Sequence, residues 1–194
     1  MQRGQYRKSA QRREEIVEAA FAVFARSGYV ASSVSEIARE VGMSQPGLLH
    51  HFDGKPALLQ AVLEKRDAKA QQMIAGKAGI DVFRALVEIS AESQQQRGMV
   101  QLYTILSAEA TNSAHPAHEY FVRRSRLIVT EMAQAFETAR ERRQLNPGVS
   151  PLQAALESVA FTEGLQLLWL QGFVEVDLGE QARTFFNRYF CEPL

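Results

Sequence analysis

The sequence predicts an all-α fold, with a small N-terminal group of short helices and a larger helical domain after it. Hydrophobic residues recur at helical spacing along almost every segment, and no segment shows the alternation that is typical of strands. The six prolines lie where helices would begin or end. With 194 residues, 46% of them hydrophobic, the chain is long enough for one domain or for a small domain packed on a larger one.

The first two helices have clear starts and ends. Helix one is expected from about Ser9 to about Arg26, with Gly28 as its C-terminal stop. Helix two follows Ser33, and Glu36 lies three residues further on. This pair is predicted to form a capping box, in which each side chain accepts a hydrogen bond from the backbone N–H of the other residue.

A tight turn joins helix two to a third helix. Gly42 ends helix two, Ser44 caps helix three, and Pro46 lies in the first turn of helix three, where its missing N–H costs nothing. Two short helices joined by so tight a turn are typical of a helix-turn-helix, whose second helix enters the major groove of DNA. A simple helical hairpin of the same length remains the alternative.

The remaining helices begin with a connecting helix four. The predicted segments are 55–75 for helix four and then about 81–95, 99–110, 117–143, 151–170 and 178–189. Asp81 and Ser150 are expected to cap two of them, and Gly76 and Gly79 mark the best domain boundary. The expected organisation is a flexible basic tail at 1–8, a helix-turn-helix domain at 9–54, the connecting helix at 55–75 and a second domain at 76–194.

The charge pattern makes nucleic acid the first candidate partner. The formal net charge is +0, yet residues 1–13 contain Arg3, Arg7, Lys8, Arg12 and Arg13 and no acidic residue. A basic end on a neutral chain suits a protein that touches phosphates at one end only. A solvated, disordered tail is the simpler explanation of the same composition.

Helix three supplies the predicted base contacts. Gln45, at its start, can bond adenine N6 and N7 as a bidentate pair. Pro46 and Gly47 are small, so that helix three can lie close to the groove floor, although both are also ordinary residues for a helix start. His50 can donate to a phosphate or to a base.

Residues Ile16 to Val62 resemble the DNA-binding domain of TetR-family transcriptional regulators. The matching segments are I-V-E-A-A-F-A-V-F-A-R-S-G-Y, S-S-V-S-E-I-A-R-E-V-G-M-S and G-L-L-H-H-F-D-G-K-P-A-L-L. The resemblance implies three helices that carry the helix-turn-helix, and a helical C-terminal domain that binds a small effector and dimerises through its last two long helices. It places the DNA contacts at Ser33, Ser44, Gln45, Pro46, Gly47, His50 and Lys55.

Two helix starts and one departure from the family pattern complete the DNA-binding prediction. The Ser33 hydroxyl and the nearby N–H groups can hold a phosphate, and Lys55 starts helix four beside the groove. Leu49 stands where the family usually has a tyrosine that touches the DNA backbone. That contact is therefore lost, or it is made by His50.

The last two helices are predicted to form a dimer interface. Apolar residues cover more than one face of the helix at 151–170, and a helix that is apolar on most sides is buried on most sides. A partner subunit explains this burial, with a monomeric core as the alternative. The predicted interface residues are Leu156, Val159, Phe161, Leu165, Leu168, Phe185, Phe186 and Tyr189.

The effector pocket is expected among the helices between residues 81 and 170. The candidate lining residues, any of which can equally be an ordinary core residue, are Met99, Tyr103, Leu106, Glu109, Tyr120, Phe121 and Trp169. A mixture of Met, Tyr and Trp with few charges predicts a largely apolar or aromatic ligand.

The sequence offers no catalytic or metal centre. His115 and His118 lie near Glu119, but no third ligand can be placed, so that no metal and no cofactor is predicted. The chain has no phosphate loop and no G-x-S-x-G, which argues against an enzyme. The single Cys191 fits a reducing, cytoplasmic compartment, and no signal peptide or membrane-spanning run is seen.

Taken with the resemblance, these features predict a cytoplasmic homodimer that binds palindromic double-stranded DNA. It would repress transcription until a small apolar or aromatic effector releases it from its operator. Two alternatives remain open. One is an activator or a ligand-independent regulator on the same fold, and the other is a helical small-molecule-binding or enzymatic protein without DNA binding.

Overall fold

The computed structural model describes residues 2–172 and 175–194, and of these the side chains from residue 8 onward. The elements in these ranges are α1 (Gln2–Ser27), α2 (Val34–Glu40), α3 (Gln45–Leu49), α4 (Lys55–Ile74), α5 (Ile80–Gln94), α6 (Arg97–Glu109), α7 (His118–Glu141), α8 (Pro151–Gln171) and α9 (Leu178–Phe186). The predicted all-α fold is confirmed. None of the helices described is long and apolar enough to cross a membrane.

The chain divides into two compact units. The first comprises the described residues up to Ala68 together with Ile105–His118, and the second comprises those of Lys69–Thr104 and Glu119–Leu194. The glycines at 76 and 79 do separate α4 from α5, but the division of packing falls elsewhere than this predicted boundary. Helices α4 and α6 each contribute residues to both units. A helix break in the sequence therefore does not decide which side chains pack together.

Helix α1 begins earlier than the sequence predicts. It starts at Gln2 rather than near Ser9, so that residues 2–8, expected as a flexible tail, are helical. Met1, the first residue of that predicted tail, lies outside the described residues. Arginine, lysine and glutamine are good helix formers, and this stretch has no proline to stop the helix. Its basic composition indicates solvation, which is compatible with a helix as well as with a coil.

In the first unit, α2 and α3 pack with α1 around one apolar core. Side chains buried in it include Ile16, Phe24, Ile37, Leu48 and Leu58. Helix α2 has seven residues and α3 has five, and helices of that length are not stable alone in water. Their positions therefore depend on this core and on the polar contacts at their ends.

The second unit is built around aromatic rings. The Phe83 ring on α5 lies 4.2 Å from the Phe136 ring on α7, 5.2 Å from the Phe186 ring on α9 and 4.9 Å from the Phe190 ring, all measured between centroids. Pairs of this kind each add roughly 0.5–1.5 kcal/mol to the effect of burial alone. Helices α5, α7 and α9 are thereby joined in one core.

Of the two caps predicted for the second unit, Asp81 is wrong, and Ser150 holds the N-cap position without a side-chain hydrogen bond. Helix α5 begins after Gly79, and Asp81 lies in its first turn, where it accepts a hydrogen bond from Arg84 at 2.8 Å. Asp81 is therefore inside the helix rather than at its cap. Ser150 does precede α8, but its side chain makes no capping hydrogen bond.

Candidate nucleic-acid interface

The starts of α2 and α3 are fixed by two serine caps. The Ser33 Oγ accepts from the Glu36 N–H at 3.1 Å, and the Ser44 Oγ accepts from the Gly47 N–H at 3.2 Å. Both predicted caps are thus present. The second half of the predicted capping box is wrong, because the Glu36 carboxylate pairs with Arg26 at 3.4 Å instead of turning back to Ser33.

One face of α3 is anchored in the core and the other is exposed. Leu48 is completely buried, whereas Gln45, Pro46, Leu49 and His50 are exposed. Across the part of the chain that the structure describes, the Gln45 amide makes no hydrogen bond, so that its donor and acceptor are available to a partner. The first turn of α3 therefore offers unused polar atoms beside an exposed apolar side chain.

Gly47 has a structural reason to be glycine. A Cβ at this position would lie 3.1 Å from the Ser44 Oγ, the atom that caps the helix. A larger residue would crowd the cap. The sequence predicts that the small size of Gly47 allows close approach to DNA, and the helix start also favours a small residue here.

Lys55, predicted as a phosphate contact, is engaged within the protein. Its Nζ donates to the backbone oxygens of Tyr29 at 2.8 Å, of Val30 at 3.2 Å and of Ser32 at 2.9 Å, and lies 4.5 Å from the centroid of the Tyr29 ring. An ammonium group has three protons, and three carbonyl oxygens accept them here. Lys55 therefore ties the start of α4 to the turn that leads into the Ser33 cap.

Arg13 makes a matching connection at the other end of the helix-turn-helix. Its Nη1 donates to the His51 backbone oxygen at 2.7 Å, and its guanidinium carbon lies 3.9 Å from the centroid of the Phe52 ring. The sequence shows Arg13 only as part of a basic segment. The residue that it contacts, His51, follows the end of α3 and lies 38 residues away in the chain. No local sequence pattern therefore indicates this contact.

Tyr29 joins this network to the segment 105–118. Its ring lies 5.6 Å from the Phe24 ring and 5.8 Å from the His115 ring, and burial raises the pKa of the Tyr29 phenol. The His115 Nδ1 accepts from the Ala117 N–H at 3.2 Å, and its Nε2 lies 3.6 Å from Glu109. His115 is thus placed by packing and by its neighbours in the chain.

A comparison with known proteins identifies the family. Residues 16–62 match the sequence model of the family described as bacterial regulatory proteins, tetR family. The HTH-type transcriptional regulator UidR of Escherichia coli (strain K12) is 24% identical over 159 residues, which cover 79% of this chain and 79% of UidR. The chain is a TetR-family transcriptional regulator. The capped α2–α3 pair is accordingly its DNA-binding helix-turn-helix, and the family resemblance inferred from the sequence is confirmed.

Solved structures support the fold along nearly the whole regulator. SmeT, the repressor of the Stenotrophomonas maltophilia multidrug efflux pump SmeDEF, matches with a TM-score of 0.75 at 19% identity, over 94% of this chain and 96% of that one. The SmeT–triclosan complex matches with a TM-score of 0.73 at 21% identity, over 94% and 93% of the two chains. The helical second domain of this chain therefore has the same fold as that of SmeT.

The predicted effector residues of the regulator fall in both units. In the second unit, the Phe121 ring lies 5.0 Å from the Tyr103 ring and 5.1 Å from the Tyr120 ring. Arg124 donates to the Tyr103 hydroxyl, with its guanidinium carbon 4.7 Å from the ring centroid. Met99 and Trp169 are half-buried in this unit, whereas Leu106 and Glu109 belong to the first. Sequence reasoning missed Arg124, which only its position beside Tyr103 reveals.

A small cleft lies elsewhere in the second unit. It is lined by Ser90, Phe161, Thr162, Leu165, Gln166, Leu178 and Ala182 and has about 10 Å³ of accessible space. That is room for about one water molecule. The buried Gln166 Oε1 at this cleft has no hydrogen-bond partner among the described residues. The cleft is too small for the effector that the sequence predicts.

The eight predicted dimer residues of the regulator differ in burial, and Val159, Phe161, Leu165 and Tyr189 are half-buried in the single chain. Leu156 and Leu168 on α8 are 47% and 48% exposed, as an interface before assembly requires. Phe185 and Phe186 on α9 are instead buried within the single chain, where the Phe185 ring stacks 4.0 Å from the Phe161 ring. Their apolar character therefore reflects the core of one subunit. Sequence reasoning missed two further exposed α8 residues, Leu152 and Leu167.

Proposed function

We propose that this regulator is a homodimeric repressor that binds a palindromic operator and leaves it when a small apolar or aromatic effector binds. The observation that carries the proposal is the exposed face of α3. Ser44 caps this helix, Leu48 anchors it, and the Gln45 amide has no partner in the described structure. An amide side chain in this position is suited to adenine, with which it forms a bidentate pair in the major groove.

The dimer follows from the exposed leucines of α8. Four large apolar side chains on one helix, Leu152, Leu156, Leu167 and Leu168, are exposed in the single chain. Exposed apolar surface of this kind favours association, and a two-fold interface lets two copies cover the same surface on each other. In such a dimer the two α3 helices would enter successive major grooves about 34–36 Å apart, or a multiple of this distance.

The effector site is proposed beside the aromatic rings of the second unit. Tyr103, Tyr120 and Phe121 present tilted or edge-on rings, and Arg124 adds a cation next to them. SmeT, which shares the fold, forms a complex with the small molecule triclosan. Helix α4 runs from the first unit into the second, so that a ligand that tilts α4 would change the spacing of the two α3 helices.

The first experiment selects duplexes from a random double-stranded DNA library with the full-length protein. We expect the enriched duplex to be a palindrome with two half-sites, bound by two chains. On a promoter template that contains this duplex, transcription in vitro should fall as protein is added. Enrichment of no duplex would contradict operator binding, and a rise in transcription would favour an activator on the same fold.

The second experiment tests the effector. Aromatic compounds are screened for those that raise the melting temperature, and each one found is titrated against the protein–duplex complex. Because two ligands that favour different states must weaken each other equally, we expect a loss of DNA affinity of roughly 5–150-fold. If every stabilising compound left DNA affinity unchanged, a ligand-independent repressor would be the better description.

A further inference from the structure

Leu49 is a large apolar side chain on the exposed face of α3. It is 41% exposed, although the preceding Leu48 is completely buried. Leu49 follows Gln45 by four residues, and side chains at this spacing lie on the same face of a helix. The exposed leucine and the unpartnered amide therefore point in the same direction.

The chemistry of a leucine limits what it can recognise in DNA. It has no hydrogen-bonding atom, so that it cannot bond a phosphate oxygen or a polar base edge. In the major groove, the apolar group that distinguishes one base from the others is the C5-methyl group of thymine. Contact with this methyl group would carry sequence information, whereas a phosphate contact would not.

We propose that Leu49 is a specificity-determining residue that packs against a thymine methyl group in each half-site. Gln45, one turn earlier on the same face, reads an adenine in the same half-site. The half-site therefore requires one base by a hydrogen-bonding contact and another by an apolar contact. This inference rests on the proposed operator binding and adds the identity of one of its bases.

The test removes the methyl group from the DNA and the side chain from the protein separately. The duplex selected by the wild-type protein is synthesised with each thymine replaced in turn by deoxyuridine, which lacks only the C5-methyl group. One thymine per half-site should weaken wild-type binding about fourfold, the effect of one buried methyl-sized group. Replacement in both half-sites should weaken binding about sixteenfold, because independent contacts multiply.

The protein variants assign this effect to one side chain. Leu49→Ala should bind the thymine and deoxyuridine duplexes alike, and Leu49→Met, which keeps an apolar side chain of similar volume, should retain the discrimination. Leu127→Ala is the matched control, because Leu127 is a similarly exposed leucine, 46% exposed, on α7 of the second unit. It should discriminate like the wild type.

Each remaining outcome decides against the proposal. If no thymine shows the deoxyuridine effect, Leu49 does not read a methyl group. If Leu49→Ala shows the same effect as the wild type, another side chain reads it. Both results would leave the selected duplex, and therefore operator binding, intact. Failure to select any duplex would instead overturn the proposed operator binding itself.

Discussion

In the first unit, helices of seven and five residues are positioned by polar contacts to the backbone, whereas in the second unit helices of up to 24 residues are positioned by buried rings. Ser33 and Ser44 bond backbone atoms of the helix-turn-helix, and Lys55 and Arg13 bond backbone atoms of the residues that flank it. The second unit has its rings clustered around Phe83. Short helices bury little apolar area, and directional contacts fix their ends more closely than packing alone does.

A second point concerns the cations near the helix-turn-helix of the first unit. A basic side chain near a helix-turn-helix is readily assigned to DNA phosphates. Lys55 and Arg13 show that such a cation can instead hold the loops that aim the recognition helix. The effect of these two cations on DNA affinity would then be indirect, because they fix the geometry of the protein. Substitutions in each unit can separate the two roles.

The largest effect is expected for Leu168→Arg on α8. An unpaired charge in the proposed dimer interface would oppose association by several kcal/mol. Sedimentation should show a dimer for the wild type and a monomer for the variant, with DNA affinity lost in parallel. Leu127→Arg, at a similarly exposed leucine on α7, is the control and should remain dimeric. A wild-type protein that is monomeric at micromolar concentration would contradict the interface.

The next effect concerns Lys55→Met, which keeps the length of the side chain and removes its charge. Loss of the hydrogen bonds to the three carbonyl oxygens should lower the free energy of unfolding by roughly 1.5–3 kcal/mol, measured by urea denaturation. DNA affinity should fall for all sequences, with the salt dependence almost unchanged. A direct phosphate contact predicts the opposite pattern: unchanged stability, and a salt dependence reduced by about one unit of slope.

The Gln45→Ala variant should separate recognition from stability. Gln45 is exposed and makes no hydrogen bond in the described structure, so that the free energy of unfolding should change by less than about 0.5 kcal/mol. Binding to the selected duplex should weaken by roughly 1–3 kcal/mol, while binding to random DNA stays the same. Fluorescence anisotropy with both DNAs measures this difference. Equal loss on both DNAs would assign Gln45 to the backbone instead.

These cases show which parts of the molecule are predictable from the sequence. The limits of α2 and α3 are predictable because Ser33 and Ser44 bond N–H groups only three residues away. The role of Lys55 is not, because its acceptors lie 23 to 26 residues earlier in the chain. Membership of residues 105–118 in the first unit is hidden for the same reason.

The faces of the last two helices show a second limit. Helix α8 is apolar on several sides, and periodicity cannot decide which side meets the core of its own chain. The structure buries Phe185 and Phe186 and leaves Leu156 and Leu168 exposed, although the sequence places all four at the interface. The candidate interface therefore includes fewer α9 residues and more α8 residues than the sequence predicts.

The smallest effect compares two serines that precede helices, one in each unit. Ser44 caps α3 through the Gly47 N–H, whereas Ser150 precedes α8 without a capping hydrogen bond. Ser44→Ala should therefore destabilise the start of α3 by about 1 kcal/mol, and Ser150→Ala should have almost no effect. Amide hydrogen exchange can measure each helix separately, with faster exchange expected only in α3 of the first variant. Equal effects at both serines would mean that the side-chain caps do not distinguish the two units, and that the core holds α3 in place as it does α8.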